Sequence, residues 1–147
     1  MPSGGFSALL SCVLAWLLPG AGHFYLGKRR RAAVFFLVVF ATFMLGLLNE
    51  GHSYLADRQQ PLTYLGTFAN IAIGPLEFLS RRSTYHRLVY ALPADENSPE
   101  AQVLLTAMRD KVKVVTDEYG TTFLLTAGLM NMLLILDAFD IAIGRKS

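Results

Sequence analysis

An uncharged block of 21 residues, Phe6–Leu26, leads into Lys28-Arg29-Arg30-Arg31, and a second uncharged block, Ala32–Leu48, follows at once. A helix needs about 20 apolar residues to cross the hydrocarbon core of a bilayer. Two such blocks joined by a short basic turn read as a tight antiparallel hairpin of membrane-spanning helices. Pro19 removes a backbone donor and kinks the first helix. Stopping that helix at Leu18 would leave 13 residues from Phe6, too few to span, so the span is carried to Leu26. No basic residue precedes the block and no small-residue cleavage site follows it, so it reads as retained rather than as a signal peptide.

Composition agrees. The 147 residues suit one domain, 1–147. They are 53% hydrophobic and 16% charged, against about a quarter charged in soluble domains, and the mean hydropathy is +0.41. The net charge of +2 is too small to argue for nucleic acid. The single cysteine, Cys12, supports neither a disulfide framework nor a zinc cluster.

Further along, Leu62–Ser80 carries Asn70, a Gly74-Pro75 break and Glu77. Its uncharged part is short, which leaves a short span, a re-entrant segment or an interfacial helix. Glu77 and Arg81 stand at i,i+4 and read as a salt-bridged helix end. Residues 81–118 are polar. Ser98-Pro99 is an N-cap followed by a first helical residue, and predicts an amphipathic helix over 99–113 with Val103, Leu104, Ala107 and Met108 on one face. Residues 112–115 alternatively begin a strand. Gly120–Ile143 is a final span interrupted by Asn131, Asp137 and Asp140.

The distribution of Lys and Arg orients these pieces. With Lys28–Arg31 placed in the cytoplasm, a spanning Leu62–Ser80 puts 10 basic residues inside and 3 outside. If that segment does not span, the division is 6 inside and 7 outside. The first arrangement is favoured: an all-α polytopic bundle of four spans (about 6–26, 32–48, 62–80 and 120–143), three being the alternative, with both termini outside and a short cytoplasmic amphipathic helix.

Chemistry-bearing residues are few. Thr122, Thr126, Asp137 and Asp140 fall on one stripe of the last helix, which should face protein or water because a charge at the bilayer centre costs about 3 kcal/mol. The sharper reading is an intramembrane polar or ion site; the plainer one is packing and interfacial anchoring. Pro19, Gly20, Gly22, His23, Tyr25 and Gly27 are read as structural. Lys28, Arg29, Arg30 and Arg31 are read as a topology determinant that also attracts anionic lipid headgroups. His52 and His86 lie apart from His23, so no metal site is expected. No nucleophile-with-base motif is present, and no cofactor is implied.

Leu18-Pro19-Gly20-Ala21-Gly22-His23-Phe24-Tyr25-Leu26-Gly27-Lys28 resembles the glycine-rich turn of the TM-two domain family, in which two transmembrane helices are joined by such a turn. There the second helix ends in an apolar stretch with an aspartate. Here Leu133–Asp140 looks like that ending, but it lies in the last span. Taken whole, with Glu118–Phe123 and Asp137–Lys146, the chain is more similar to a small bacterial membrane-protein family of unknown function. That resemblance implies a multi-pass protein of the bacterial inner membrane and brings no catalytic residues. The function class favoured is a scaffold or accessory subunit, partnered by the bilayer and by an unidentified membrane protein or a second copy. A small transporter or ion-coupled protein using Asp137 and Asp140 is the alternative, and a membrane-embedded enzyme stands third.

Overall fold

Each long apolar block folds as helix, but only two do so without interruption. The computed structural model describes residues 5–113 and 115–146. Helices α1 (Gly5–Leu17) and α2 (Ala21–Tyr25) precede α3 (Arg29–Leu48). After a loop come α4 (Leu62–Ile71), a 3-10 turn (Gly74–Leu76) and α5 (Glu77–Tyr85), then α6 (Pro99–Val112) and α7 (Asp117–Ala142). Among the described residues there is no strand, only isolated bridges at Ala56–Ala91 and Asp57–Gln60. The strand alternative at 112–115 includes Val114, which lies outside the described residues.

Among the described residues two helices, α3 and α7, are long and apolar enough to cross a membrane, where four spans were expected. At about 1.5 Å per residue, α3 with 20 residues is about 30 Å long and α7 with 26 is about 39 Å. They pack antiparallel: Gly46 near the end of α3 meets Leu124 near the start of α7. Val39, Phe43, Leu124, Ala127 and Leu134 form the core between them, joined by Ile73.

The expected span over 6–26 is two helices. Pro19 and Gly20, whose φ is +84°, turn the chain after α1, and α2 doubles back. Gly22 lets the two approach: a Cβ there would strike the Ser11 carbonyl. Cys12 Sγ lies 3.8 Å from the Ile135 carbonyl and Asn131 reaches Ala15, so α1 runs antiparallel to α7 along its second half. At about 20 Å, α1 ends beside the middle of α7.

The segment 62–80 is likewise broken. Gly74 (φ +76°) and Pro75 end it, and a Cβ on Gly74 would strike the Trp16 carbonyl. Ala69 packs on Gly128 and Ala72 on Asn131, so α4 runs parallel to α7 and also stops at its middle. α5 then returns: Ser80 meets Ser53, and Tyr85 Oη donates to the Ser53 carbonyl at 2.7 Å. Two half-length hairpins thus approach from opposite ends and meet tip to tip beside Asn131. The expected threading put the Lys28–Arg31 turn and the tail on opposite sides. The Lys28–Arg31 turn and the tail lie at one end, where Lys146 reaches Asp137, while the loop after α3 and residues 86–113 lie at the other.

At that other end α6 closes over Leu55 and Tyr85 through Leu104, with Ala107 and Met108 at the edge; Val103 faces outward. The Ser98 side chain accepts from the Ala101 N–H as the cap of α6.

Candidate functional site

The polar groups that the fold brings inward lie at three levels along α7. At its middle, Pro19 has no N–H to give the Ala15 carbonyl, and Pro75 has none for Ile71. Both carbonyls belong to helix ends that lack intrahelical partners. Asn131, fully buried, donates from Nδ2 to Ala15 O at 3.2 Å and to Ala72 O at 2.8 Å. Trp16 Nε1 donates to Ile71 O at 2.9 Å. One amide and one indole therefore tie the tips of both hairpins to each other and to α7.

At the basic end, α2 finishes with hydrogen bonds from Gly27 N to Phe24 O and from Lys28 N to His23 O, with Gly27 at φ +78°. This closing motif satisfies the last carbonyls. It fixes His23, which is wholly buried, with its ring edge-on to Phe35 at 4.9 Å and Nε2 2.9 Å from Asp137 Oδ2. The same motif ends α7 at Gly144 (φ +79°) and folds the tail back. Lys146 Nζ then donates to Asp137 Oδ1 at 2.7 Å, and Arg145 stands 3.9 Å from Asp140. The hydrogen bond to Asp137 holds the Lys146 ammonium above its ordinary pKa.

At the opposite end, His52 Nδ1 lies 2.7 Å from Asp117 Oδ1. Thr121 Oγ1 accepts from the His52 backbone N–H and lies 3.1 Å from Nδ1. Asp117 is in the first turn of α7, where the helix dipole favours a carboxylate. The mutual approach of Gly51 and Gly120 makes the contact possible, since a Cβ on either would meet the other's backbone. Beside it, buried Arg81 pairs with Glu77, donates to Tyr54 O at 3.0 Å and to Val89 O, and lies 4.2 Å from the Tyr90 ring centroid. It clamps two loops onto α5, and the i,i+4 pair is buried. Burial raises the Tyr85 hydroxyl above its usual value of 10.0.

Thr122, Thr126, Asp137 and Asp140 take separate partners. Thr122 and Thr126 are exposed and donate to the carbonyls of Glu118 and Thr122 on their own helix. Asp137 joins His23, a pairing the sequence reading did not make. Of the turn residues, Pro19, Gly20 and Gly22 are buried with His23, whereas Tyr25, Gly27 and Arg29–Arg31 are exposed. Arg29, Arg30 and Arg31 form the first turn of α3 rather than a loop. Sequence reasoning also missed the His52–Asp117–Thr121 cluster and the bridging by Asn131 and Trp16. The available signal was the register of Pro19 and Pro75, each of which frees a carbonyl four residues back.

What these groups can do chemically is latch helices. Among the described residues, no three of His, Cys, Asp and Glu come together to hold a metal ion. No curated protein and no solved structure matches the chain. Residues 10–147, which include most of the first hairpin, all of the second and both His–Asp pairs, match a family of unknown function, DUF6677, and the chain belongs to that family.

Proposed function

We propose that the chain is an integral membrane protein in which α3 and α7 cross the bilayer and the two hairpins enter from opposite faces to about half its depth, and that it serves as a scaffold or accessory subunit. The observation that carries this reading is the set of carbonyls at Ala15, Ile71 and Ala72, each met by a side-chain donor. Water would serve such helix ends in a soluble protein. In hydrocarbon every backbone group needs a protein partner, and broken helices persist only where they are buried in protein. The spacing of the latches fits as well. Asp117 and Asp137 are 20 residues apart on α7, about 30 Å by helical rise, the thickness of the hydrocarbon core.

The end bearing Lys28–Arg31, Arg145 and Lys146 is assigned to the cytoplasm, because six basic residues sit there in short segments next to the spans. Ion handling is disfavoured: both Asp137 oxygens are engaged, Asp140 faces Arg145, and the threonines are taken by their own helix. Large apolar side chains such as Leu37, Leu45, Leu129 and Leu133 are exposed around the outside, available to lipid, to a membrane partner or to a second copy.

The test is cysteine accessibility in intact cells after Cys12→Ser. Cysteines at Arg30 and Arg145 should both resist a membrane-impermeant thiol reagent, and one at Asp95 should react. Protection of Asp95 with reaction at Arg145 would restore the four-span threading. Equal protection of all three, with the chain washed from membranes at alkaline pH, would remove it from the bilayer altogether.

A further inference from the structure

We propose that the basic end holds one anionic phospholipid as a bound ligand, its phosphate in the cup of Gly27–Arg31 and one acyl chain in the slot between α2 and α3. The inference rests on α3 crossing a bilayer and adds a ligand to that reading. Two adjoining depressions carry it. The cup, of about 360 Å³, is lined by Gly27 and by Lys28, Arg29, Arg30 and Arg31. The slot, of about 340 Å³, is lined chiefly by Leu18, Pro19, Phe24, Ala33 and Phe36, and again by Arg29. Arg29 is the residue common to both, and its guanidinium lies 5.7 Å from the Phe24 ring centroid, at the junction of charge and hydrocarbon.

Among the described residues, the charge of the cup is uncompensated. The two acids at this end, Asp137 and Asp140, are occupied by Lys146 and Arg145. No side chain caps α3 and no acid stands in its first turn. By contrast α6 has both a Ser98 cap and Glu100. The free N–H groups and dipole of α3 therefore add to four side-chain cations. The slot is open because Pro19 and Gly20 turn the chain away after α1, and because residues 32 and 33 are alanines between Arg31 and the larger Val34, Phe35 and Phe36. An amphiphile with one anionic head and an extended apolar tail complements both parts. A free phosphate complements only the cup, and a neutral lipid only the slot.

Trp16, the only tryptophan in the chain, is two residues from Leu18 and reports on this region. The protein is placed in phosphatidylcholine vesicles containing a minor fraction of brominated lipid, either phosphatidylglycerol or phosphatidylcholine, at equal mole fraction. The expected result is an excess of Trp16 quenching by the anionic lipid, with a local enrichment of about fivefold for each basic side chain engaged, which is about 1 kcal/mol. Arg29→Gln with Arg30→Gln should cut the enrichment about 25-fold, leaving what Lys28 and Arg31 hold. Ala33→Phe keeps every cation but fills the slot, and should reduce the excess severalfold. Equal quenching by the two lipids in the wild-type chain overturns the site. An undiminished excess in Ala33→Phe also overturns it, leaving diffuse surface attraction. Retention after alkaline washing is measured on the same vesicles: a chain that washes out overturns the membrane reading together with the lipid site, whereas a retained chain without lipid preference overturns the lipid site alone.

Discussion

At the residue scale, the energetics turn on which polar groups are buried and paired. Asn131 supplies two donors to carbonyls that two helices leave free. An unsatisfied buried group costs about 1–3 kcal/mol. Asn131→Leu should therefore lower stability by about 2–5 kcal/mol, read as thermal unfolding in mild detergent, whereas Thr126→Val on the exposed face should change it by less than about 0.5 kcal/mol. A silent Asn131→Leu would mean that the hairpin tips are held by packing alone. The two aspartates of α7 separate in the same way. Asp117 is almost fully buried against His52, while Asp137 keeps 23% of its side chain accessible. Asp117→Asn should cost about 1.5–3 kcal/mol, the range for a hydrogen bond to a charged group, and Asp137→Asn less than about 1 kcal/mol. The reverse order would make Asp137 the more sensitive carboxylate and would revive an ion-handling role.

At the element scale, the decisive feature is that α1 and α4 end in mid-fold. Each stop combines a proline, which removes a donor, with a glycine in the left-handed region. The glycines differ in what surrounds them. A Cβ at Gly74 would collide with the Trp16 carbonyl, while one at Gly27 would meet nothing within 4 Å. Both have positive φ, so both substitutions carry the backbone penalty of about 1–2 kcal/mol. Gly27→Ala should cost only that. Gly74→Ala should also force the two hairpin tips apart and lower the yield of folded protein, as measured by size-exclusion profile in detergent. Similar behaviour of the two variants would mean that the tips are not in contact. Gly22→Leu falls with Gly74, although its φ is ordinary, because α1 and α2 touch there backbone to backbone.

At the scale of the whole molecule, the proposed threading rests on the tip-to-tip hairpins, since the basic residues divide six to seven between the two ends, and the paired accessibility of Arg30, Arg145 and Asp95 checks it. The sequence by itself determined the class: uncharged blocks around Lys28–Arg31 require helices. Block length did not single out the two long helices, since 32–48 has 17 residues against 21 in 6–26, and α3 reaches 20 only by taking in Arg29–Arg31. The sequence also determined the cap of α6 at Ser98 and placed Glu77 against Arg81, because caps and i,i+4 pairs are local. Only the tertiary structure decided that 6–26 and 62–80 are half-length hairpins. Hydropathy counts apolar residues and does not register where a chain reverses, so a proline–glycine pair reads equally as a kink or as a return. Only the tertiary structure joined His23 to Asp137 and His52 to Asp117. Those partners lie 114 and 65 residues apart, and the contact depends on how α7 is laid across both hairpins. The stripe of Thr122, Thr126, Asp137 and Asp140 was legible as a helical face, but the partners of its residues were not. Periodicity states which residues share a face, and packing alone states what that face meets.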